Sequence, residues 1–112
     1  MVKFIYMNKW IIPLSLLIIF EAIADIFAKN WSIHRTAWIA ITSLSFYVIA
    51  NSFWLFALKN GAELGRGAII FSVASAIIAI LLGVLIYKEP VSKIQTAGLA
   101  LGLLSIVLLF WE

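Results

Sequence analysis

The chain has 112 residues, 65% of them hydrophobic and 12% charged, with a formal net charge of +3 and no cysteine. Soluble domains run at about 45–50% apolar and about 25% charged, so this composition, with a mean hydropathy of +1.15, excludes a soluble domain and leaves room for four membrane spans of roughly 20 residues each. The lack of cysteine excludes a disulfide scaffold and a thiolate metal site, the modest basic excess reads as headgroup contact rather than nucleic-acid binding, and no phosphate loop or nucleophile–base pair calls for enzyme activity or a cofactor.

In chain order, residues 1–9 form an interfacial lead with Lys3, Tyr6 and Lys9, followed by Trp10, the cationic and aromatic types found at headgroup level. The first span is predicted over 10–29, with Pro13 in its first turn, where a missing N–H costs nothing, and Lys29 free to snorkel outward. The same stretch contains the parts of a secretory leader: Lys3 and Lys9, an apolar run over 11–20, and Ala22-Ile23-Ala24 as a cleavage site. Glu21 fits badly between that run and that site, and three more spans follow, so the segment is read as retained. Asn30 to Thr36 is the first loop, holding Trp31, Arg35 and His34, whose position as the sole histidine argues against a histidine metal cluster within one chain. The second span is predicted over 37–58. Lys59 to Gly67, with its three glycines and three charges, is the second loop and is expected to be partly helical near the interface. The third span covers 68–87, Lys88 to Lys93 is a tight turn, and the fourth span covers 94–111. Only helices and closed barrels satisfy their backbone in lipid, and these runs are too long and too uniformly apolar for barrel strands. The expected fold is all-α: one four-helix transmembrane domain over 1–112.

The topology signal is balanced. The N-terminus, second loop and C-terminus share one side with Lys3, Lys9, Lys59 and Arg66, and the first and third loops share the other with Lys29, Arg35, Lys88 and Lys93. Lys/Arg bias normally sets orientation; a four-against-four balance predicts a chain that inserts both ways round and pairs antiparallel. A fixed orientation set by charge position rather than charge count is the alternative.

Glu21 and Asp25 are the acids of the first span. A carboxylate at the centre of a bilayer costs a few kcal/mol or more and by default marks function. Four residues apart, the two lie on one helical face and are expected to titrate as a coupled unit. Such a site holds a proton or a cation in turn. For Glu21 the bland alternative is a structural hydrogen bond between helices; for Asp25 it is an i,i+4 ion pair with Lys29 at the span end. The second span carries Ser43, Tyr47, Asn51 and Trp54 as a polar and aromatic stripe, with Ser45 and Ser52 on another face. Aromatic faces attract cations, so a stripe facing Glu21 is a candidate wall of a cation site; taken singly, each residue is an ordinary interhelical contact. Small residues on the third span (Ala68, Ser72 and Ala76, then Ser75, Ala79 and Gly83) read as packing first and substrate access second. Gly98 and Gly102 form a GxxxG on the fourth span, with Ser105 beyond, a helix–helix contact face that suits a subunit interface.

Taken together these residues resemble the small multidrug resistance family of the drug/metabolite transporter superfamily, over nearly the whole chain. Phe20-Glu21 with Lys29 eight residues on is similar to the family's first-helix pattern, Ser52-Phe53-Trp54-Leu55 to its second-helix motif, and Tyr87-Lys88-Glu89-Pro90 with Gly98 and Ser105 to its third turn and fourth-helix dimer contact. The resemblance implies that Glu21 is a shared proton and substrate site, that Ser52 lines the pocket, and that two chains form an antiparallel homodimer of dual topology. Two departures stand out. The third-helix run Gly67 to Ser75 lacks the family's Tyr and Trp, and Asp25 is an extra acid. If both acids face the pocket, the dimer suits a polyamine or other multiply charged cation.

The reading is a proton-coupled antiporter of the cell (inner) membrane that exports small organic cations. Glu21 binds proton or substrate, and Asp25, Ser52, Trp54, Asn51 and Tyr47 shape the site. Its partners are a small cationic substrate, protons, the lipid bilayer and a second copy of the chain, without nucleic acid or metal. The alternatives are a non-transporting assembly or heterodimer subunit, and a subunit that translocates a lipid-linked head group.

Overall fold

The computed structural model describes residues 9–111, which form four α-helices: α1 (Ile11–His34), α2 (Ala37–Lys59), α3 (Leu64–Tyr87) and α4 (Lys93–Trp111). Each is long and apolar enough to cross a membrane. The all-helical expectation and its four spans therefore stand, while the interfacial residues Lys3 and Tyr6 lie outside the described residues.

The helix ends follow local chemistry. Pro13 occupies the third position of α1, where a helix N–H has no intrahelical acceptor. The expected end of the first span at Lys29 is corrected: α1 continues through Asn30–His34, since nothing in that stretch breaks a helix, and stops where Arg35 turns left-handed at φ 51° with its N–H bonded to the Trp31 carbonyl. The first loop thus shrinks to Arg35 and Thr36, and His34 sits on the last residue of α1 instead of in a loop. α3 begins at Leu64, taking in the part of the second loop expected to be helical, and ends at Lys88, again left-handed (φ 54°), with the Glu89 N–H returning to the Gly83 carbonyl. Before α4, Ser92 and Gln95 exchange side-chain-to-backbone hydrogen bonds of 3.1 and 2.9 Å, a reciprocal cap that satisfies two otherwise unpaired N–H groups.

α1 is the central element. It packs along α2 and against α3, whereas α4 rests chiefly on α3. Four α1 residues (Pro13, Leu14, Leu17 and Ala24) are buried, and none of α4 is. Between α1 and α2 runs a ladder of rings, Phe27–Phe46–Phe20–Phe53, with centroid separations of 5.7, 6.0 and 5.5 Å. The buried Ser43 hydroxyl ties the same pair together, donating to the Ala24 carbonyl at 2.9 Å.

The two ends of the bundle differ. At one end Trp10 stacks on Phe110 (6.2 Å), the Arg66 guanidinium lies 5.9 Å over the Trp10 ring, and Arg66 Nε donates to the Leu109 carbonyl at 2.8 Å. At the other end Tyr87 of α3 donates to Asn30 Oδ1 of α1 at 2.7 Å. The helices therefore run alternately up and down. The start of α1, the start of α3 and the end of α4 meet at one end, and the other ends of α1 and α3 meet opposite.

Candidate functional site

Glu21 stands near the middle of α1, one helical turn past the fully buried Leu17. Its Oε2 atom is buried and makes no hydrogen bond, and the same holds for Ser75 Oγ on α3. The Ser75 hydroxyl, the Asp25 carboxylate and the Tyr47 hydroxyl all lie close enough to act on the Glu21 carboxyl. Glu21 thus faces α3 from inside the bundle, at mid-span.

One turn further along the same seam the surroundings change. Asp25 and Ala79 line a cavity of about 170 Å³ between α1 and α3, which continues past Lys29 and Gly83 to Tyr87 and Glu89. Every charged group there has a partner. Asp25 Oδ1 accepts a 2.5 Å hydrogen bond from the Tyr47 hydroxyl of α2. Lys29 Nζ lies 3.2 Å from Glu89 Oε1 and 5.8 Å over the Tyr87 ring. The alternative reading of Asp25, an ion pair with Lys29, does not form: the cation turns to the α3–α4 connection, and a phenol takes its place at Asp25. Gly83 is what lets Glu89 lie this close, since a Cβ there would stand 2.9 Å from Glu89 Oε2.

The second-helix stripe splits. Ser43 is buried against α1 and Tyr47 reaches Asp25. Trp54 turns instead toward α3, tilted on Phe71 (6.4 Å) and in contact range of Gly67. Asn51 and Ser52 lie on the outward flank of α2 in an open groove with Leu44 and Leu55, their side chains bonded back to the carbonyls of Tyr47 and Val48. A helix turns 100° per residue, so a stripe spaced by four drifts; the buried positions Ser43, Ala50 and Ala57 mark the face that stays inward. Within one chain, then, Glu21, Asp25 and Tyr47 are brought together and Asn51 and Ser52 are not. Of the GxxxG residues, Gly102 faces α3 of its own chain, where a Cβ would meet Val73 Cγ1 at 3.1 Å. Gly98 lines the same α3–α4 groove, and Ser105 is half-buried further along α4.

Sequence reasoning passed over Ser75 as a packing residue and Glu89 as part of a turn. The available signal for Ser75 was its depth: with Ser72 it is one of two serines in the middle of an otherwise apolar span.

The sequence model of the EamA-like transporter family matches residues 2–111. The chain belongs to the EamA-like transporter family. An EamA-like protein falls within the drug/metabolite transporter superfamily, as expected from the sequence, and is a multi-pass membrane transporter and not an enzyme. No curated protein and no solved structure matches this EamA-like chain.

Proposed function

We propose that this EamA-like transporter is a proton-coupled antiporter exporting small organic cations across the inner membrane, of the small multidrug resistance type. Its working unit would be an antiparallel homodimer of dual topology. The observation that carries the reading is the half-buried Glu21 carboxyl at mid-span, one oxygen of which, Oε2, is buried and unpaired. An unsatisfied polar group costs several kcal/mol in hydrocarbon, so such a group is best explained by a ligand that comes and goes. A proton neutralises it; a cation neutralises it equally well; the two compete for one charge. Exchange follows if each is taken up from opposite sides in turn, the alternating-access logic of inverted repeats built here from two chains.

In this scheme Asp25, held by Tyr47, adds negative potential one turn from Glu21 and favours cations over neutral solutes. Trp54 would close the pocket toward the α1 N-terminal end. Asn51 and Ser52, which face outward from a single chain, would reach the pocket only from the facing subunit. Gly98 and Ser105 would carry the α4 contact between subunits, while Gly102 is engaged by α3 of its own chain. The balanced Lys/Arg count supports dual insertion.

The test is solid-supported-membrane recording with a panel of singly and multiply charged organic cations under an imposed pH gradient. Cation-evoked currents that scale with the gradient and vanish in Glu21→Gln support the reading. Currents that persist in Glu21→Gln, or no response to any cation, would refute it. Labelling of tags on both termini from each side of the membrane tests the topology: one orientation in all molecules removes the dual-insertion proposal.

A further inference from the structure

Hydroxyls on apolar helices ordinarily turn back to their own backbone. Ser15, Thr42, Ser45 and Ser52 do this, each donating to the carbonyl four residues earlier at 2.8 Å. Ser75 does not. Its Oγ is buried and makes no hydrogen bond of good geometry, although its hydroxyl faces the Glu21 carboxyl closely enough to act on it as a donor, and Glu21 Oε2 is likewise buried without a partner of good geometry. The register of α1 and α3 agrees, because Asp25 and Ala79, one turn beyond Glu21 and Ser75, line one cavity together. Two unpaired oxygens on facing helices form a place for a hydrogen-bond donor. A carboxylate only accepts, and a hydroxyl has lone pairs to offer as well as its own proton.

We propose that Ser75 is the second polar group of the Glu21 site and sets a preference for cations that carry N–H over quaternary cations of similar size. This rests on the cation reading above and narrows its substrate class. A primary ammonium has three donors and can bond Glu21 and Ser75 at once. A tetraalkylammonium carries the same charge behind methyl groups, so it meets the Glu21 charge and leaves both oxygens without donors, a desolvation penalty that a donor ligand avoids. Ser75 acts through contact with the ligand and leaves the proton on Glu21 to be exchanged as before.

The experiment is isothermal titration calorimetry on the detergent-solubilised protein with propylammonium and with tetramethylammonium. The parent binds propylammonium more tightly. Ser75→Ala lowers that preference by about tenfold, the order of one hydrogen bond to a charged group, while tetramethylammonium affinity changes little. Ser75→Thr, which keeps the hydroxyl, retains most of the preference and separates loss of the hydroxyl from damage to packing. Monodisperse elution of each variant, with retained tetramethylammonium binding, marks it as folded. A parent that binds both cations with a ratio unchanged in Ser75→Ala overturns this inference and leaves the cation reading standing. Binding of neither cation, or binding unaffected by Glu21→Gln, overturns both.

Discussion

Two polar layers one helical turn apart share the α1–α3 seam, and they differ in how their groups are satisfied. In the outer layer Asp25, Tyr47, Lys29, Tyr87 and Glu89 are all paired, by the Tyr47–Asp25 hydrogen bond, the Lys29–Glu89 contact and the Tyr87–Asn30 bond. In the inner layer Glu21 Oε2 and Ser75 Oγ are buried without partners. Paired groups fix α1 against α2, α3 and the α3–α4 connection, whereas unpaired groups in a lipid-surrounded bundle are a standing cost that a ligand relieves. The comparison separates residues expected to hold the bundle from those expected to bind.

The sharpest way to break that division is Glu21→Gln. It should abolish pH-driven transport while leaving the thermal midpoint in detergent near the parent's, because no hydrogen bond is lost; a large fall in the midpoint would move Glu21 into the structural layer. Tyr47→Phe is the reciprocal case. Removing the hydroxyl strips Asp25 of its donor and should lower stability by about 1–3 kcal/mol, read from chemical denaturation, with transport falling less than stability. Asp25→Asn should be milder, since an amide oxygen still accepts from Tyr47. Glu89→Gln tests the exposed end. With both partners of the Lys29 pair about half exposed, the loss should be about 1 kcal/mol or less and should shrink as salt is added. Smallest of all, Ser52→Ala on the outward flank should change single-chain stability by no more than about 0.5 kcal/mol; any transport defect there would then speak for contact with the facing subunit.

The four spans were legible because lipid demands long apolar helices, and runs of that length leave few other folds. The end of α1 was not. Asn30–His34 carries the polar residues of a loop, yet none forbids a helix, and the stop is made by Arg35 in a left-handed conformation that a glycine would ordinarily signal. The partner of Lys29 was hidden for a different reason. Spacing points to Asp25 on the same helix, but only the fold brings Glu89 across from the α3–α4 connection. The acids themselves were readable from one span, because charge in an apolar run needs no tertiary knowledge to stand out. Ser75 was not, since a serine among alanines and glycine on α3 reads as close packing until Glu21 is seen to face it.

The most direct test of the central claim is proton release on adding propylammonium or tetramethylammonium to lightly buffered, detergent-solubilised protein. If Glu21 holds a proton or a cation but never both, the parent releases protons in proportion to cation bound and Glu21→Gln releases none. Cation binding without proton release in the parent, or equal release from the Glu21→Gln variant, would contradict it.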